Sequence, residues 1–343
     1  MTAGGVLNVS HYWMERRCRV NRILVLAAGS LLIFAWSAAA QKPTLLVLNK
    51  EGSVAMVDPA TEKVLGRAPT GEGPHEVVAT TDGKLAVASN YGSGQMPGHT
   101  LSVIDIAGRK ELHRVDIAPL TRPHGLFAAD GKVYFTAEGS QAIGRYDPAA
   151  NRVDWQLSTG QDGTHMVAMS KDHNLIFTSN IGSGSISIFE RQGTDWHATV
   201  VPVGRGAEGF DLSPDGKELW AANAGDGTVS IIDIAARKVV QTFQVGAKRS
   251  NRLKFTPDGR RVLISDLTTG DLIVIDAAAR KEMKRVNLGR SVAGILVTPD
   301  GARAYVAATP DNYVAVVNLK TLQPAGRIST GDGPDGMDWI AGH

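Results

Sequence analysis

Short segments of apolar residues, separated by small polar turns, run through the chain from Thr44 onward. One stretch shows the pattern. The segment Glu218–Asn223 is followed by the alternating segment Thr228–Asp233, then by Lys238–Val245 and Arg252–Thr256. Segments of about four to eight β-branched or apolar residues, bounded by Gly, Asn, Asp and Pro, are typical of β-strands joined by tight turns. The pattern therefore predicts four antiparallel strands per unit and an all-β fold.

A turn signature closes each unit and gives the period of the repeat. It reads TTDG, AADG, SKDH, SPDG, TPDG and TPDG in succession, and a seventh would fall at His343. Successive turns lie 48, 42, 43, 43, 42 and 42 residues apart. A period of about 40 to 45 residues with several strands per unit is typical of a β-propeller. The sequence thus predicts one seven-bladed propeller over residues 41–343.

Closure of the ring is expected to join the two ends of this domain. Asp335–Ile340 is predicted to be the innermost strand of the blade whose other strands are Leu45–Asn49, Val54–Asp58 and Lys63–Ala68. Pairing an N-terminal with a C-terminal strand leaves no exposed sheet edge at the junction.

Residues 1–40 read as an export signal. A positively charged start precedes the apolar run Ile23–Trp36, and Ala38–Ala40 suits cleavage before Gln41. An uncleaved membrane anchor is the alternative, and Met14 is an alternative start. The only cysteine, Cys18, lies in this leader, so the mature domain has no disulfide, thiolate metal site or cysteine nucleophile. We expect a periplasmic or secreted protein without a membrane span after cleavage.

Charge changes once the leader is set aside. Without its four arginines and one glutamate, the chain has 32 basic and 33 acidic side chains. Nucleic-acid binders usually carry a basic face, so that class of partner is not favoured. Lys248, Arg249 and Arg252 form one local basic cluster, which we expect to be a solvated rim.

The repeats resemble a known family. Tracts such as LWAANAGDGTVSIIDIAARKVVQTFQVG and LKFTPDG resemble the YVTN family of β-propeller repeats, and the resemblance extends over Thr44–Gly336. It implies a propeller similar to those of cytochrome cd1 and nitrous oxide reductase. It implies little about function, because family members include binding proteins, scaffolds and a few enzymes.

Superimposing the repeats identifies two rings of residues on one face. The first slot lies eight residues before the end of each turn signature, and it holds an unusual run of three histidines followed by a glutamate. A second slot, seven residues after each signature, is mostly Asn, and its departure on the histidine side of the ring is Glu138. The first ring is His75, His124, His165, Glu208, Asn251, Ala293 and Asp335, and the second is Asn49, Asn90, Glu138, Asn180, Asn223, Asp266 and Ala308.

The run of histidines predicts a metal site. Neutral imidazoles and a carboxylate suit Zn²⁺, Cu²⁺, Ni²⁺ or Fe²⁺, and three histidines leave a position for water or substrate. The candidate ligands of one divalent ion are His75, His124, His165 and Glu208. The alternative is that the histidines line a hydrated channel and bind an anion or nothing.

Other groups are expected on the same face as candidate ligand-binding residues. Arg122 precedes the second histidine and suits a carboxylate or phosphate. The insertion Tyr91–His99 accounts for the 48-residue spacing, and Tyr91, Met96 and His99 are expected to fold over the ring as a partial lid. A solvated loop without a role is the alternative. The remaining candidates are Glu138, Asn251 and Asp335.

Three functions follow as hypotheses. The first is an exported, monomeric binding or accessory protein that holds a small molecule, metal ion or protein partner at this face. The second is a metal-dependent hydrolase of the lactonase kind, with His75, His124, His165 and Glu208 around the ion and Arg122 orienting an anionic substrate. The third is a role in handling haem d1, as the resemblance to cytochrome cd1 implies, with an axial histidine from the same ring.

Overall fold

The computed structural model describes residues 42–342, which form seven four-stranded antiparallel sheets and two short 3-10 helices. The sheets are arranged as the blades of a propeller, which confirms the fold predicted from the repeat. The predicted leader, with Met14 and Cys18, lies outside the described residues. Within residues 42–342 no helix has the length and hydrophobicity that a membrane crossing requires.

The strands follow the repeat blade by blade. Blade 1 contains β1 (Thr44–Asn49), β2 (Ser53–Asp58) and β3 (Lys63–Pro69), and blade 2 contains β4 (Pro74–Ala79), β5 (Leu85–Gly92), β6 (Pro97–Asp105) and β7 (Lys110–Asp116). Blade 3 contains β8 (Pro123–Ala129), β9 (Lys132–Ala137), β10 (Ala142–Asp147) and β11 (Arg152–Ser158), with a 3-10 helix at Glu138–Ser140. Blade 4 contains β12 (Thr164–Met169), β13 (Leu175–Asn180), β14 (Ser185–Gln192) and β15 (Asp195–Pro202).

The remaining blades repeat this arrangement. Blade 5 contains β16 (Ala207–Leu212), β17 (Glu218–Asn223), β18 (Thr228–Asp233) and β19 (Lys238–Gln244), and blade 6 contains β20 (Ser250–Phe255), β21 (Arg261–Asp266), β22 (Asp271–Asp276) and β23 (Lys281–Asn287). Blade 7 contains β24 (Ile295–Val297), β25 (Arg303–Ala308), β26 (Tyr313–Asn318) and β27 (Gln323–Ile328), with a 3-10 helix at Thr309–Asp311. The last strand, β28 (Pro334–Ile340), returns to blade 1.

Ring closure occurs as predicted. Strand β28 pairs antiparallel with β1, with Thr44 opposite Ile340 and Leu45 opposite Trp339. The sheet order is β28–β1–β2–β3, so the C-terminal strand is the innermost strand of blade 1. Neighbouring innermost strands contact one another around the ring, and they line a central channel.

The core lies between the blades. The second and third strands from the axis are buried on both faces, as in β17, whereas an outermost strand such as β19 alternates between exposed and half-buried residues. Aromatic side chains bridge neighbouring blades: the rings of Trp220 and Phe255 meet edge to face, with centroids 5.4 Å apart. Removing this apolar surface from water supplies the main force that holds each blade on the next.

Turns after the third strand use one recurrent cap. The Asp58 carboxylate accepts a hydrogen bond from the Ala60 amide at 2.8 Å, which is the Asx-turn geometry expected of this residue type. The same cap is present in six blades. The capping residues are Asp58, Asp105, Asp147, Asp233, Asp276 and Asn318, whereas Glu190 pairs with Arg237 instead.

Carboxylates on two inner strands link neighbouring blades. Asp338 accepts a hydrogen bond from the Ala79 amide at 2.6 Å, and Asp211 accepts one from the Phe255 amide at 2.9 Å. Burial raises the pKa of Asp338 to about 6, although the bond from Ala79 opposes this shift.

Removal of the last ten residues should prevent stable folding. The change deletes β28, and with it the pairing with β1 and the closure of the ring. The expected loss of unfolding free energy is comparable with the about 5 to 15 kcal/mol that holds a whole domain together. Thermal denaturation followed by circular dichroism checks this, with removal of only the last three residues as the control. A ten-residue truncation that kept its melting temperature would contradict the closure argument.

In the Asp338→Asn variant, the unfolding free energy should depend less on pH between pH 4 and pH 7 than in the parent protein. Because the pKa of this acid is higher in the folded state than in the unfolded state, its stabilising contribution is complete below about pH 4 and is lost as pH rises through 6. An amide keeps the acceptor for Ala79 without ionising. The variant should therefore match the parent near pH 4 and exceed its unfolding free energy at pH 7 by on the order of 2 kcal/mol. Urea denaturation at the two pH values measures the difference, and a constant offset would contradict this prediction.

Candidate functional site

A β-bulge at the same place in six inner strands shapes the channel. In blade 2, Pro74 lies opposite Asn90 and Val77 opposite Ala88, so His75 and Glu76 together face the single residue Ser89. Blades 1, 3, 4, 5 and 6 show the same shift of register. A bulge breaks the normal alternation of side chains. Consequently, consecutive residues both line the channel, one at each end.

Hydroxyl groups of the next strand hold these bulges in place. The Glu76 amide donates to Ser89 at 3.1 Å, and the Gly125 amide donates to Thr136 at 2.8 Å. Thr136 in turn donates to the backbone carbonyl of His165 at 2.6 Å. The backbone that carries one histidine is therefore anchored to the neighbouring blade.

The seven residues of the first predicted ring meet at one end of the channel. They line a cavity of about 690 Å³, here called the mouth cavity. In six blades the slot residue is the second residue of the innermost strand, and in blade 7 it is Ala293, which precedes β24. The repeat alignment thus placed all seven correctly: His75, His124, His165, Glu208, Asn251, Ala293 and Asp335.

The three histidines form a continuous row of rings. The centroids of His75 and His124 are 4.9 Å apart, and those of His124 and His165 are 3.7 Å apart. His124 and His165 are buried. Burial lowers the pKa of His75 to about 4, with the Asp335 charge opposing and the Lys50 charge adding to the shift. Burial, together with the neighbouring histidines, holds the pKa of His124 well below its ordinary value. Both imidazoles are therefore neutral at pH 7.

Three carboxylates surround this row. Glu138 lies 3.7 Å from the Nδ1 atom of His165. Burial alone would raise the pKa of Glu138, but His165 and Tyr91 hold it below its usual range. Glu208 accepts a hydrogen bond from the Asn251 amide. These two carboxylates therefore have no lysine or arginine partner among the described ion pairs.

Asp335 is the third carboxylate and does have a cationic partner. The Lys50 Nζ atom lies 2.9 Å from the Asp335 carboxylate and 3.3 Å from the His75 Nδ1 atom. Burial opposes ionisation of Asp335, but the charges of Lys50 and Arg252 bring its pKa below the usual value.

Unsatisfied polar atoms are concentrated at this site. Among the described residues, nine buried side-chain atoms lack a hydrogen-bond partner, and five of them belong to residues that line the mouth cavity. Each such atom costs about 1 to 3 kcal/mol. The five are His124 Nδ1, both ring nitrogens of His165, Asn251 Oδ1 and Arg252 Nη1.

As the side chains stand within residues 42–342, no three His, Asp or Glu side chains are grouped to hold a metal ion. The stacked arrangement of His124 and His165 explains this, because stacked rings present their faces to one another. The candidate ligand set is therefore assembled in one cavity, but its nitrogens do not converge.

Most of the second ring is structural. The Asn90 side chain donates to Thr100 and Ser102, and Asn180 donates to Ser185 and Ser187. Asn49 and Asn223 make the same kind of contact inside their blades. These bonds give the four asparagines a structural role within their blades. Glu138 is the exception that reaches the cavity.

The insertion in blade 2 does not form the expected lid. It lengthens β5 and β6 into a longer hairpin, and of its three predicted contacts only Tyr91 reaches the mouth cavity. Met96 is exposed, and His99 pairs with Asp116 at 3.0 Å on the outer part of the hairpin. Backbone pairing extends the strands away from the cavity, so the lid prediction is wrong for Met96 and His99. The Arg122 guanidinium lies over the Tyr91 ring, 4.9 Å from its centroid.

The basic rim is also different from the prediction. Lys248 and Arg249 are exposed, but Arg252 is buried and forms an ion pair with Glu76 from the opposite side of the channel. Together they form the floor between the mouth cavity and a second cavity of about 610 Å³ at the other end. A comparison of the repeats would have revealed this pair from the sequence. The slot after each first-ring residue reads Glu76, Gly125, Met166, Gly209, Arg252, Gly294 and Gly336, with glycine as the common residue.

The sequence analysis also overlooked most of the cavity-lining residues that directly follow the second ring. Lys50, Tyr91, Ile181, Leu267 and Thr309 occupy one slot in five blades, and all of them line the mouth cavity. Of these only Tyr91 was singled out from the sequence, because it opens the insertion.

The floor pair should show the energetics of a buried ion pair. Arg252→Met alone should cost about 3 to 5 kcal/mol of unfolding free energy, because it leaves the Glu76 charge buried without a partner. The double variant Arg252→Met with Glu76→Met should recover most of this loss, since apolar residues of similar size replace the pair. Urea denaturation of both variants measures the difference. Equal destabilisation of the single and double variants would mean that the two side chains do not act as a pair.

Comparisons with known proteins agree with this architecture. A model of the YNCE-like beta-propeller family matches residues 128–303, just over half of the chain. Hydrazine synthase from Kuenenia stuttgartiensis aligns over 77% of this chain and 88% of its own, with a TM-score of 0.65 and 19% identity. A candidate 6-phosphogluconolactonase from Bacteroides uniformis aligns over 88% of this chain and 100% of its own, with a TM-score of 0.71 and 16% identity.

A functionally unknown protein from Desulfotomaculum acetoxidans has a TM-score of 0.72 at 12% identity, and the alignment covers 87% of this chain and 99% of that one. No curated protein sequence matched. At these identities the structural likenesses show the fold alone. The family match and the seven-bladed ring confirm the resemblance to YVTN-type repeats, and the chain belongs to the YNCE-like beta-propeller family.

Proposed function

We propose that this protein is a binding or accessory propeller that holds one divalent transition-metal ion in the mouth cavity. The observation that carries the proposal is an excess of negative charge beside neutral imidazoles. Of the four carboxylates at the mouth and its floor, only two form an ion pair with a lysine or arginine: Asp335 with the exposed Lys50, and Glu76 with the buried Arg252. Arg249 also lines the cavity, but it is exposed and pairs with none of them among the described ion pairs. The carboxylates are Glu76, Glu138, Glu208 and Asp335.

Neutral imidazole is the form of histidine that binds a metal. His75 and His124 are neutral at pH 7 without any help from an ion. Two histidines on one ion have ring centres roughly 4.5 to 5 Å apart, since each nitrogen lies about 2.1 Å from the metal. The 4.9 Å separation of His75 and His124 fits this value, whereas the 3.7 Å stack of His124 and His165 requires His165 to turn. Metal binding after such a turn would also give one of its two unpartnered nitrogens a partner.

Metal analysis of protein purified without a histidine tag tests the proposal. One equivalent of Zn²⁺, Cu²⁺ or Ni²⁺ should bind, and His75→Ala with His165→Ala should weaken binding by more than 100-fold. Loss of a supporting hydrogen-bond partner alone typically costs about 10- to 100-fold. Isothermal titration of the metal-free protein measures the change.

The matched control replaces two exposed histidines, His99 and His113, by alanine. This variant should bind the ion like the parent. The absence of a stoichiometric ion in the parent protein, with no thermal stabilisation by any of the three metals, would exclude the metal site. An equal loss in the control variant would assign binding to the surface.

A metal-dependent hydrolase is a second candidate. The mouth cavity, at about 690 Å³, is far larger than an ion and leaves room for an organic substrate. Two structures of similar fold are candidate 6-phosphogluconolactonases, and metal-bound water is a suitable nucleophile for a lactone. Arg249 at the cavity, or Arg122 beside it, would orient an anionic substrate. Failure of the metal-loaded protein to open a simple lactone would exclude this candidate.

The proposed place of action is the periplasm or the exterior of the cell. This rests on the charged start, apolar run and small-residue cleavage site of residues 1–40.

A further inference from the structure

Tyr91 covers the row of histidines from the open side of the mouth cavity. Its ring centroid lies 4.8 Å from that of His75, and it stands edge-on to His124 at 5.8 Å. His124 is only 3% exposed, although it lines a cavity of this size, and its Nδ1 atom has no partner. His75, by contrast, keeps 26% of its side chain exposed. The position of the Tyr91 ring therefore restricts access to His124.

Arg122 holds Tyr91 from its other side. The guanidinium lies over the Tyr91 ring at 4.9 Å from the centroid, which is a cation–π contact. The ring is therefore clamped between a cation and two imidazoles. No other blade has an aromatic residue at the position that Tyr91 occupies in blade 2. In blades 4 and 6 the aliphatic side chains of Ile181 and Leu267 stand at this position.

The hairpin extension fixes this clamp through the backbone. The Arg122 amide donates to the Gly98 carbonyl at 2.7 Å, and the Arg122 carbonyl accepts from the Glu138 amide at 2.9 Å. Arg122 is held in the left-handed region, with φ of 55°. A non-glycine residue persists there only when its surroundings impose the conformation. Gly92 and Gly98 allow the close backbone approach inside the hairpin, since a Cβ atom on Gly98 would lie 2.0 Å from the Asn90 carbonyl oxygen.

We propose that Tyr91 controls access to the mouth cavity, and that the extension of blade 2 exists to position it with Arg122. The ring moves away from His124 for a ligand to enter and returns to cover it. The extension thus acts through one aromatic side chain at its base. This inference goes beyond the proposed function, because it concerns the accessibility of the imidazoles and holds whichever ligand binds.

Chemical modification of histidine tests the inference on the full chain without any ligand. Diethyl pyrocarbonate acylates accessible neutral imidazoles, and peptide mass spectrometry reports the rate at each histidine. In Tyr91→Ala the rate at His124 should rise at least about tenfold, since an open state populated at 10% or less in the parent becomes permanent. His165 should stay protected, because His124 is stacked on it.

Two further variants distinguish the covering of the histidine by the Tyr91 ring from a general loosening of blade 2. Tyr91→Phe keeps the ring and should leave the rate at His124 within about twofold, whereas Arg122→Met removes the clamp and should raise it by about two- to fivefold. His99, His113 and His197 are exposed in every variant and serve as internal references.

An unchanged rate at His124 in Tyr91→Ala, with the parent's thermal stability, would overturn the inference. A parallel rise at His165, or a melting temperature lowered by several degrees, would instead show that blade 2 had loosened. In that case the Arg122→Met variant gives the answer. If this variant has normal thermal stability and an unchanged rate of acylation at His124, Tyr91 does not control access to the cavity. None of these outcomes depends on whether an ion binds.

Discussion

The β-bulge of the inner strands is the constraint on which the channel depends. In a regular strand, only every second residue would face the axis. The bulge turns two consecutive residues toward it, so that His75 lines the mouth cavity and Glu76 reaches the floor. Space at the axis is limited, and glycine is the common residue at the floor slot for that reason. A Cβ atom on Gly294 would lie 1.9 Å from the Asp335 carbonyl oxygen.

Much of this arrangement could be predicted from the sequence because each blade repeats the same local rules. Strand lengths, turn caps, ring closure and the seven first-ring residues all follow from alternation and period. The same comparison of repeats could have identified the slot that contains Glu76 and Arg252. It was missed because Arg252 was interpreted together with its exposed sequence neighbours, Lys248 and Arg249. Whether a charged residue in a bulge points outward or across the channel depends on its partner three blades away.

The error about the lid has a different physical origin. An insertion between two strands can fold over a site or simply lengthen the hairpin, and composition does not distinguish these outcomes. Here the paired backbone of β5 and β6 continues as far as Gly92 and Pro97, so the inserted residues satisfy their own hydrogen bonds away from the cavity. Only the first of them, Tyr91, is left at the mouth. The conformation of the imidazoles was also beyond the sequence, because the repeat sets the position of each Cα atom and leaves the side-chain torsions free.

The floor pair determines what the mouth can bind. Arg252 is the only fully buried cation at the channel among the described residues, and its charge is shared with Glu76 below it and with Glu208 and Asp335 above it. Because Arg252 makes its direct contact with Glu76 and Lys50 pairs with Asp335, Glu208 is left without a lysine or arginine in direct contact. Glu138 lies farther along the ring beside a histidine. A small anion would therefore enter a field that is already negative, whereas a divalent cation would balance the excess and give partners to the imidazole nitrogens that now lack them.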